Sequence, residues 1–202
     1  MKMKPDAILF DMDGVLVDSL DSWRASLNAA LKAHNHQEIT KEEFIEKYWG
    51  YDLYVTLDKM GLDYEIVTSC NELYQEHLDK VTMYPDVKDT LQKLKDYKKG
   101  IITNTPRNRA IQVIKNFKLG RYFDTVVTSD DVYRGKPNPD IVLKACKNLG
   151  VEPVDAVTVG DTSSDVEAGK AAGCAVIGMN IDADITVGKM SDLTEIFNFH
   201  VL

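Results

Sequence analysis

Ala7-Ile8-Leu9-Phe10-Asp11-Met12-Asp13-Gly14-Val15-Leu16-Val17-Asp18-Ser19 passes from four consecutive apolar residues into two carboxylates at i, i+2 and a glycine. An unbroken apolar run of this length describes a strand buried on both faces, the kind found in a parallel sheet covered by helices. Acids at the carboxyl end of such a strand stand where open α/β sheets bind their ligands. A strand followed by an acidic turn has the same composition, because Asp and Gly both favour turns. At this point both stay open.

From Tyr84-Pro85-Asp86 onward the chain alternates helix and short apolar strand. The pattern predicts helices over 86–97, 107–117, 139–149, 164–172 and 191–197, strands over 100–103, 125–128, 155–159 and 175–179, and a short segment near 185–187. Repeated βα units imply an α/β fold, a doubly wound parallel sheet with right-handed crossovers. Between the first strand and Tyr84 the periodicity is helical instead, with Trp23, Leu27, Ala30 and Leu31 at i, i+4, i+7 and i+8. Further amphipathic stretches cover 41–49, 51–60 and 64–80, punctuated by Gly50 and Gly61. The expected organisation is therefore an α/β core made of 1–19 and 84–202, interrupted by a helical domain at 20–83 and joined to it by a double-stranded hinge.

Composition narrows the function classes. The 202 residues are 44% hydrophobic and 28% charged, ordinary for a globular protein. Thirty-two acidic against 24 basic residues, net −8, disfavour nucleic acid as the main partner. An anionic substrate would then need local positive charge from particular lysines, helix ends or a metal. The N-terminal segment leads directly into a strand too short for a signal-peptide core or a membrane span, so a cytoplasmic location without a membrane partner is expected. Cys70, Cys146 and Cys174 are scattered, with no CxxC spacing, and read as free thiols. His34, His36, His77 and His200 form no ligand pattern.

Each later strand also ends in a polar group. Thr103-Asn104 offers a hydroxyl, an amide and backbone N–H groups that can bind phosphate oxygens, or that can cap the next helix. Lys136 is framed by Gly135 and Pro137, which restrict where it points; a solvated loop lysine would look the same. Strand 155–159 ends in Gly160-Asp161-Thr162-Ser163-Ser164-Asp165, with carboxylates at i, i+4 that can share one side of a first helical turn. Asp161 could instead cap that helix. Taken with Asp11 and Asp13, these acids are too many for an empty site, because clustered anions raise one another's pKa. A divalent cation relieves the repulsion, and hard oxygen ligands without His or Cys favour Mg²⁺.

These segments, in this order, resemble the haloacid dehalogenase-like hydrolase superfamily over nearly the full length. DMDGVLVDS, Ile101-Ile102-Thr103, Lys136 in GKPNPD and GDTSSD at 160–165 are similar to its four ordered motifs, and 20–83 to the small helical cap of many members. The resemblance implies a Rossmannoid core and Mg²⁺-dependent hydrolysis of a small-metabolite phosphomonoester through an aspartyl-phosphate. Asp11 would be the nucleophile, and Asp13 the general acid and base that also ligates the metal through its backbone carbonyl. Thr103, Asn104 and Lys136 would hold the transferring phosphoryl group. Asp11, Asp161 and Asp165 would complete the metal site, Asp165 directly or through another group. Phosphoglycolate-type phosphatases have the most similar layout. The dehalogenases lack an acid at the position of Asp13, which points this chain to phosphate esters. A β-phosphoglucomutase-like mutase is the rival enzyme, disfavoured because Arg24 is the only arginine in 20–83. A non-catalytic aspartyl-phosphate switch is the rival from another class. The segment Lys47–Tyr54, broken by Gly50, is the candidate specificity loop; its aromatics could equally be core. The oligomeric state, monomer or homodimer, is left open.

Overall fold

The structure is a computed structural model and describes residues 4–197; the expectations for residues 1–3 and for His200 lie outside the described residues. In chain order, β1 (Ala7–Phe10) is followed by the two-residue β2 (Val17–Asp18). Four helices come next, α1 (Leu20–Ala33), α2 (Lys41–Lys47), α3 (Leu53–Met60) and α4 (Glu65–Tyr74), and then β3 (Thr82–Met83). The remainder alternates as α5 (Val87–Lys93), β4 (Lys98–Thr103), α6 (Arg107–Asn116), β5 (Thr125–Thr128), α7 (Asp140–Leu149), β6 (Ala156–Gly160), α8 (Ser163–Ala172), β7 (Ala175–Met179), β8 (Ile185–Val187) and α9 (Leu193–Phe197).

Six strands form one all-parallel sheet in the order β5-β4-β1-β6-β7-β8. β1 is central and fully buried, as its apolar run predicts. Its side chains alternate between two cores: Ile8 and Phe10 pack on the face of α5, α6 and the helical block, whereas Ala7 and Leu9 pack on the face of α7 and α8. Burial of Ile8, Leu9 and Phe10 contributes about 1.5–3 kcal/mol each. The chain reverses direction in the sheet on either side of β1, so the carboxyl ends of β1, β4 and β6 surround the crevice where doubly wound sheets place their sites.

Two expected helices are shorter than their periodicity. The helix over 86–97 ends at Lys93, because Lys98 and Lys99 already belong to β4. The buried Lys99 ammonium donates to the Leu94 and Tyr97 carbonyls, each at 2.7 Å, and so satisfies the end of the segment. The stretch 64–80 is α-helical only to Tyr74 and then tightens to 3₁₀ over Gln75–Lys80. There the His77 carbonyl accepts the Ser22 hydroxyl of α1 at 2.9 Å. The helical block lies between β2 and β3, which pair antiparallel as Val17 with Met83 and Asp18 with Thr82. Within the block, Trp23 of α1 stacks on Tyr74 of α4 at 4.1 Å. Cys70, Cys146 and Cys174 are buried and unpaired, and burial pushes the Cys70 thiol up to about 12. Among the described residues no helix is long and apolar enough to cross a membrane.

Candidate active site

Asp11 is the first residue beyond β1, and its N–H donates to the Val159 carbonyl of β6 at 2.8 Å. Its Oδ1 accepts from the Met12 N–H at 2.7 Å and from the Lys136 ammonium at 2.8 Å. Oδ2 makes no hydrogen bond among the described residues, so one oxygen is held and the other is left available. Burial raises the Asp11 pKa, the Asp165 carboxylate raises it further, and Lys136 works against both.

Lys136 is not a solvated loop lysine: it is 1% exposed. Burial opposes its charge, but Asp11 and Asp165, at 2.8 and 2.6 Å, outweigh that penalty and hold it protonated. Its position depends on Asn104, whose side-chain oxygen accepts the Lys136 N–H at 2.8 Å and whose amide donates to the Lys136 carbonyl at 2.9 Å. The same amide donates to the Gly50 carbonyl at 3.0 Å. In this structure Asn104 is thus engaged with backbone on two sides, rather than free to face a substrate. The helix α6 that follows has Pro106, not Asn104, at its N-cap.

Asp13 sits two residues beyond Asp11 with its carboxylate enclosed by hydroxyls. Ser19 donates to Oδ1, while Thr103 and Thr105 donate to Oδ2 at 3.2 and 2.7 Å. Thr103 in turn accepts the Thr105 N–H at 3.1 Å, so the end of β4 and the carboxylate form one network. Gly14 follows at φ +82°, a left-handed conformation, and a Cβ there would lie 2.0 Å from an Asp161 carboxylate oxygen. Glycine is required on both counts.

Asp161 and Asp165 leave β6 in different directions. Thr162, not Asp161, is the N-cap of α8, and Asp165 completes a capping box by accepting from the Thr162 N–H and hydroxyl at 3.0 and 2.6 Å. Asp161 is thereby free of a capping role. Its Oδ2 accepts from the Trp49 indole N–H at 3.1 Å, and its buried Oδ1 has no partner among the described residues. Burial and then the Asp165 carboxylate raise the Asp161 pKa. Oxygens of Asp11, Asp161 and Asp165 all lie within 4.8 Å of one another. An orphaned carboxylate oxygen beside two further carboxylates is the arrangement a hard divalent cation satisfies, so the donors fit Mg²⁺ chemistry. The Asp13 side chain stands outside this group, committed to its three hydroxyls.

The loop between α2 and α3 closes over these residues. Gly50, at φ +86°, approaches α8 so closely that a Cβ would lie 2.7 Å from Thr162, and its carbonyl accepts the Ser164 hydroxyl at 2.9 Å. A cavity of about 60 Å³ remains between the loop and the strand ends, with Asp11, Asp13, Thr103 and Lys136 on one wall and Trp23, Phe44, Tyr48 and Trp49 among those opposite.

The family model for haloacid dehalogenase-like hydrolases matches residues 8–179, from β1 through β7. The chain belongs to the haloacid dehalogenase-like hydrolase family. Pyrophosphatase PpaX of Bacillus velezensis is 35% identical to this hydrolase over 211 residues, covering 94% of this chain and 95% of the relative. Among solved structures, β-phosphoglucomutase from Clostridium difficile has a TM-score of 0.83 at 21% identity, covering 94% of this chain and 93% of that one. A predicted phosphoglycolate phosphatase from Haemophilus somnus has a TM-score of 0.80 at 24% identity, covering 95% and 97% respectively. The structural likenesses show the fold.

Three residues of this hydrolase's site are given no partner among the acids by the sequence. Ser19 and Thr105 read as turn or cap residues, yet both hydroxyls serve Asp13. Trp49 belongs to the segment Lys47–Tyr54, which reads as a specificity loop or as core, and its indole reaches Asp161.

Proposed function

We propose that this hydrolase is a phosphomonoesterase that works through an aspartyl-phosphate on Asp11. The observation that carries the proposal is the differential holding of the Asp11 carboxylate, with Oδ1 fixed by Met12 and Lys136 and Oδ2 unengaged. In the first step Asp11 Oδ2 attacks phosphorus, the ester P–O bond breaks, and Asp13 gives a proton to the leaving alkoxide. In the second, water attacks phosphorus, Asp13 takes its proton, and the acyl-phosphate P–O bond breaks to restore Asp11 and release phosphate. Lys136, protonated and buried, offsets negative charge developing on the phosphoryl oxygens while it aligns Asp11. Ser19, Thr103 and Thr105 keep Asp13 oriented, and in this reading Thr103 would turn its hydroxyl to a transferring oxygen. A Mg²⁺ held by Asp11, Asp161, Asp165 and the Asp13 backbone carbonyl would neutralise charge on the phosphoryl group.

In this proposal 20–83 is a cap, with α1–α4 closing the mouth of the core and excluding water from the acyl-phosphate. Support comes from the contacts of the 48–52 loop with Thr162, Ser164, Asn104 and Asp161. The names of the relatives agree with phosphate chemistry. A screen for phosphate release over a panel of phosphorylated metabolites, with Mg²⁺ and then with EDTA, tests the proposal. Turnover that EDTA abolishes and Mg²⁺ restores is expected; turnover at full rate in EDTA would remove the metal from the mechanism.

A further inference from the structure

From the charges around the site, and resting on the phosphatase proposal above, we infer that the substrate is a monophosphate ester whose leaving alcohol carries no negative charge. The cavity beside Asp11 has room for little beyond a phosphoryl group, since about 60 Å³ corresponds to a handful of waters. The rest of an ester must extend outward past Asp52, Leu53, Asn104 and Pro106, which line both this cavity and a second cleft of about 640 Å³. That cleft runs between α3 and α4 on one side and the loop 129–138 on the other, and its size suits the remainder of a small metabolite.

The charges lining the two spaces are uneven. Among the described residues Lys136 is the one cation of the inner cavity, and that ammonium is already committed to Asp11 and Asp165. Among the described residues the outer cleft holds one cation, Arg134, against Asp52, Asp58 and Asp130, and Arg134 faces Asp140 at 3.7 Å. No lysine or arginine of the helical block lines either space. A second phosphate or a carboxylate on the substrate would therefore enter a negatively charged cleft without a free partner, a like-charge arrangement that rejects it. Neutral or cationic leaving groups fare better, because they meet Asp52, Asp58 and Asp130 without like-charge repulsion. The same walls set this chain's expected preference apart from pyrophosphate, although a relative bears the name pyrophosphatase.

The test compares kcat/KM for phenyl phosphate, ethanolamine phosphate, 2-phosphoglycolate and inorganic pyrophosphate in Mg²⁺. The first two are expected to exceed the last two at least tenfold. Asp52→Asn, which keeps an N-cap for α3 while removing the charge common to both spaces, is expected to narrow that ratio several-fold. Equal or faster turnover of phosphoglycolate or pyrophosphate would overturn the inference while leaving the phosphatase proposal standing. A ratio that Asp52→Asn leaves unchanged would also overturn it. Absence of turnover on all four would remove the phosphatase proposal and this inference with it.

Discussion

Lys136→Met is expected to destabilise the protein by about 3–5 kcal/mol and to lower kcat by at least ~10³-fold. The thermodynamic part follows from what the ammonium leaves behind. Lys136 bridges two buried carboxylates, Asp11 and Asp165, and methionine fills a similar volume without balancing either. Two like charges then face each other in a poorly solvated site, and burial already raises the Asp11 pKa even with the lysine present. The kinetic part follows from the loss of both the group that fixes Asp11 Oδ1 and a buried cation that would offset charge on the transferring oxygens. Chemical denaturation in EDTA, read by circular dichroism, measures the first effect, and phosphate release by the folded fraction measures the second. A stability change within 1 kcal/mol would show that Lys136 does not hold the acids together.

Asp11→Asn should separate function from stability in the opposite way. The amide is nearly isosteric, and its oxygen can still accept the Met12 N–H and the Lys136 ammonium. It carries no charge, so the repulsion from Asp165 that burdens Asp11 disappears. Stability in EDTA is therefore expected to equal or exceed that of the parent, the behaviour of sites that store unfavourable charge for chemistry. Turnover, by contrast, should fall by ~10⁴-fold or more, because an amide oxygen is a poor nucleophile and the substituted side chain cannot form the acyl-phosphate. Thermal unfolding and phosphate release on one preparation give both numbers. A kcat within tenfold of the parent would remove Asp11 as the nucleophile.

The parts of this molecule visible in its sequence are those whose signal is local. An apolar run such as Ala7–Phe10 reads as a strand buried on both faces, and the acids at its end read as a ligand site or a turn until the later strand ends are set beside them. Lys136 between Gly135 and Pro137, and Asp161 after β6, follow the same logic. The supporting groups depend instead on which distant segments the fold brings together. Trp49 meets Asp161 across 112 positions and Thr105 meets Asp13 across 92, and neither has a periodicity or spacing to announce it. Asn104 looks like a phosphate binder or a cap, and only the tertiary structure shows it tying Lys136 to Gly50. The two-residue strands β2 and β3 are too short for an alternation to register, so their pairing also had to come from the folded chain.

The central claim is that a carboxylate at position 11 becomes covalently phosphorylated. Borohydride reduces an acyl-phosphate at an aspartate to homoserine, so quenching a reaction with a turned-over ester into borohydride and mapping the peptides by mass spectrometry reads the claim directly. Homoserine at position 11, dependent on substrate and missing from Asp11→Asn, is the predicted result. Steady turnover with unmodified Asp11, or homoserine at another aspartate, would contradict it.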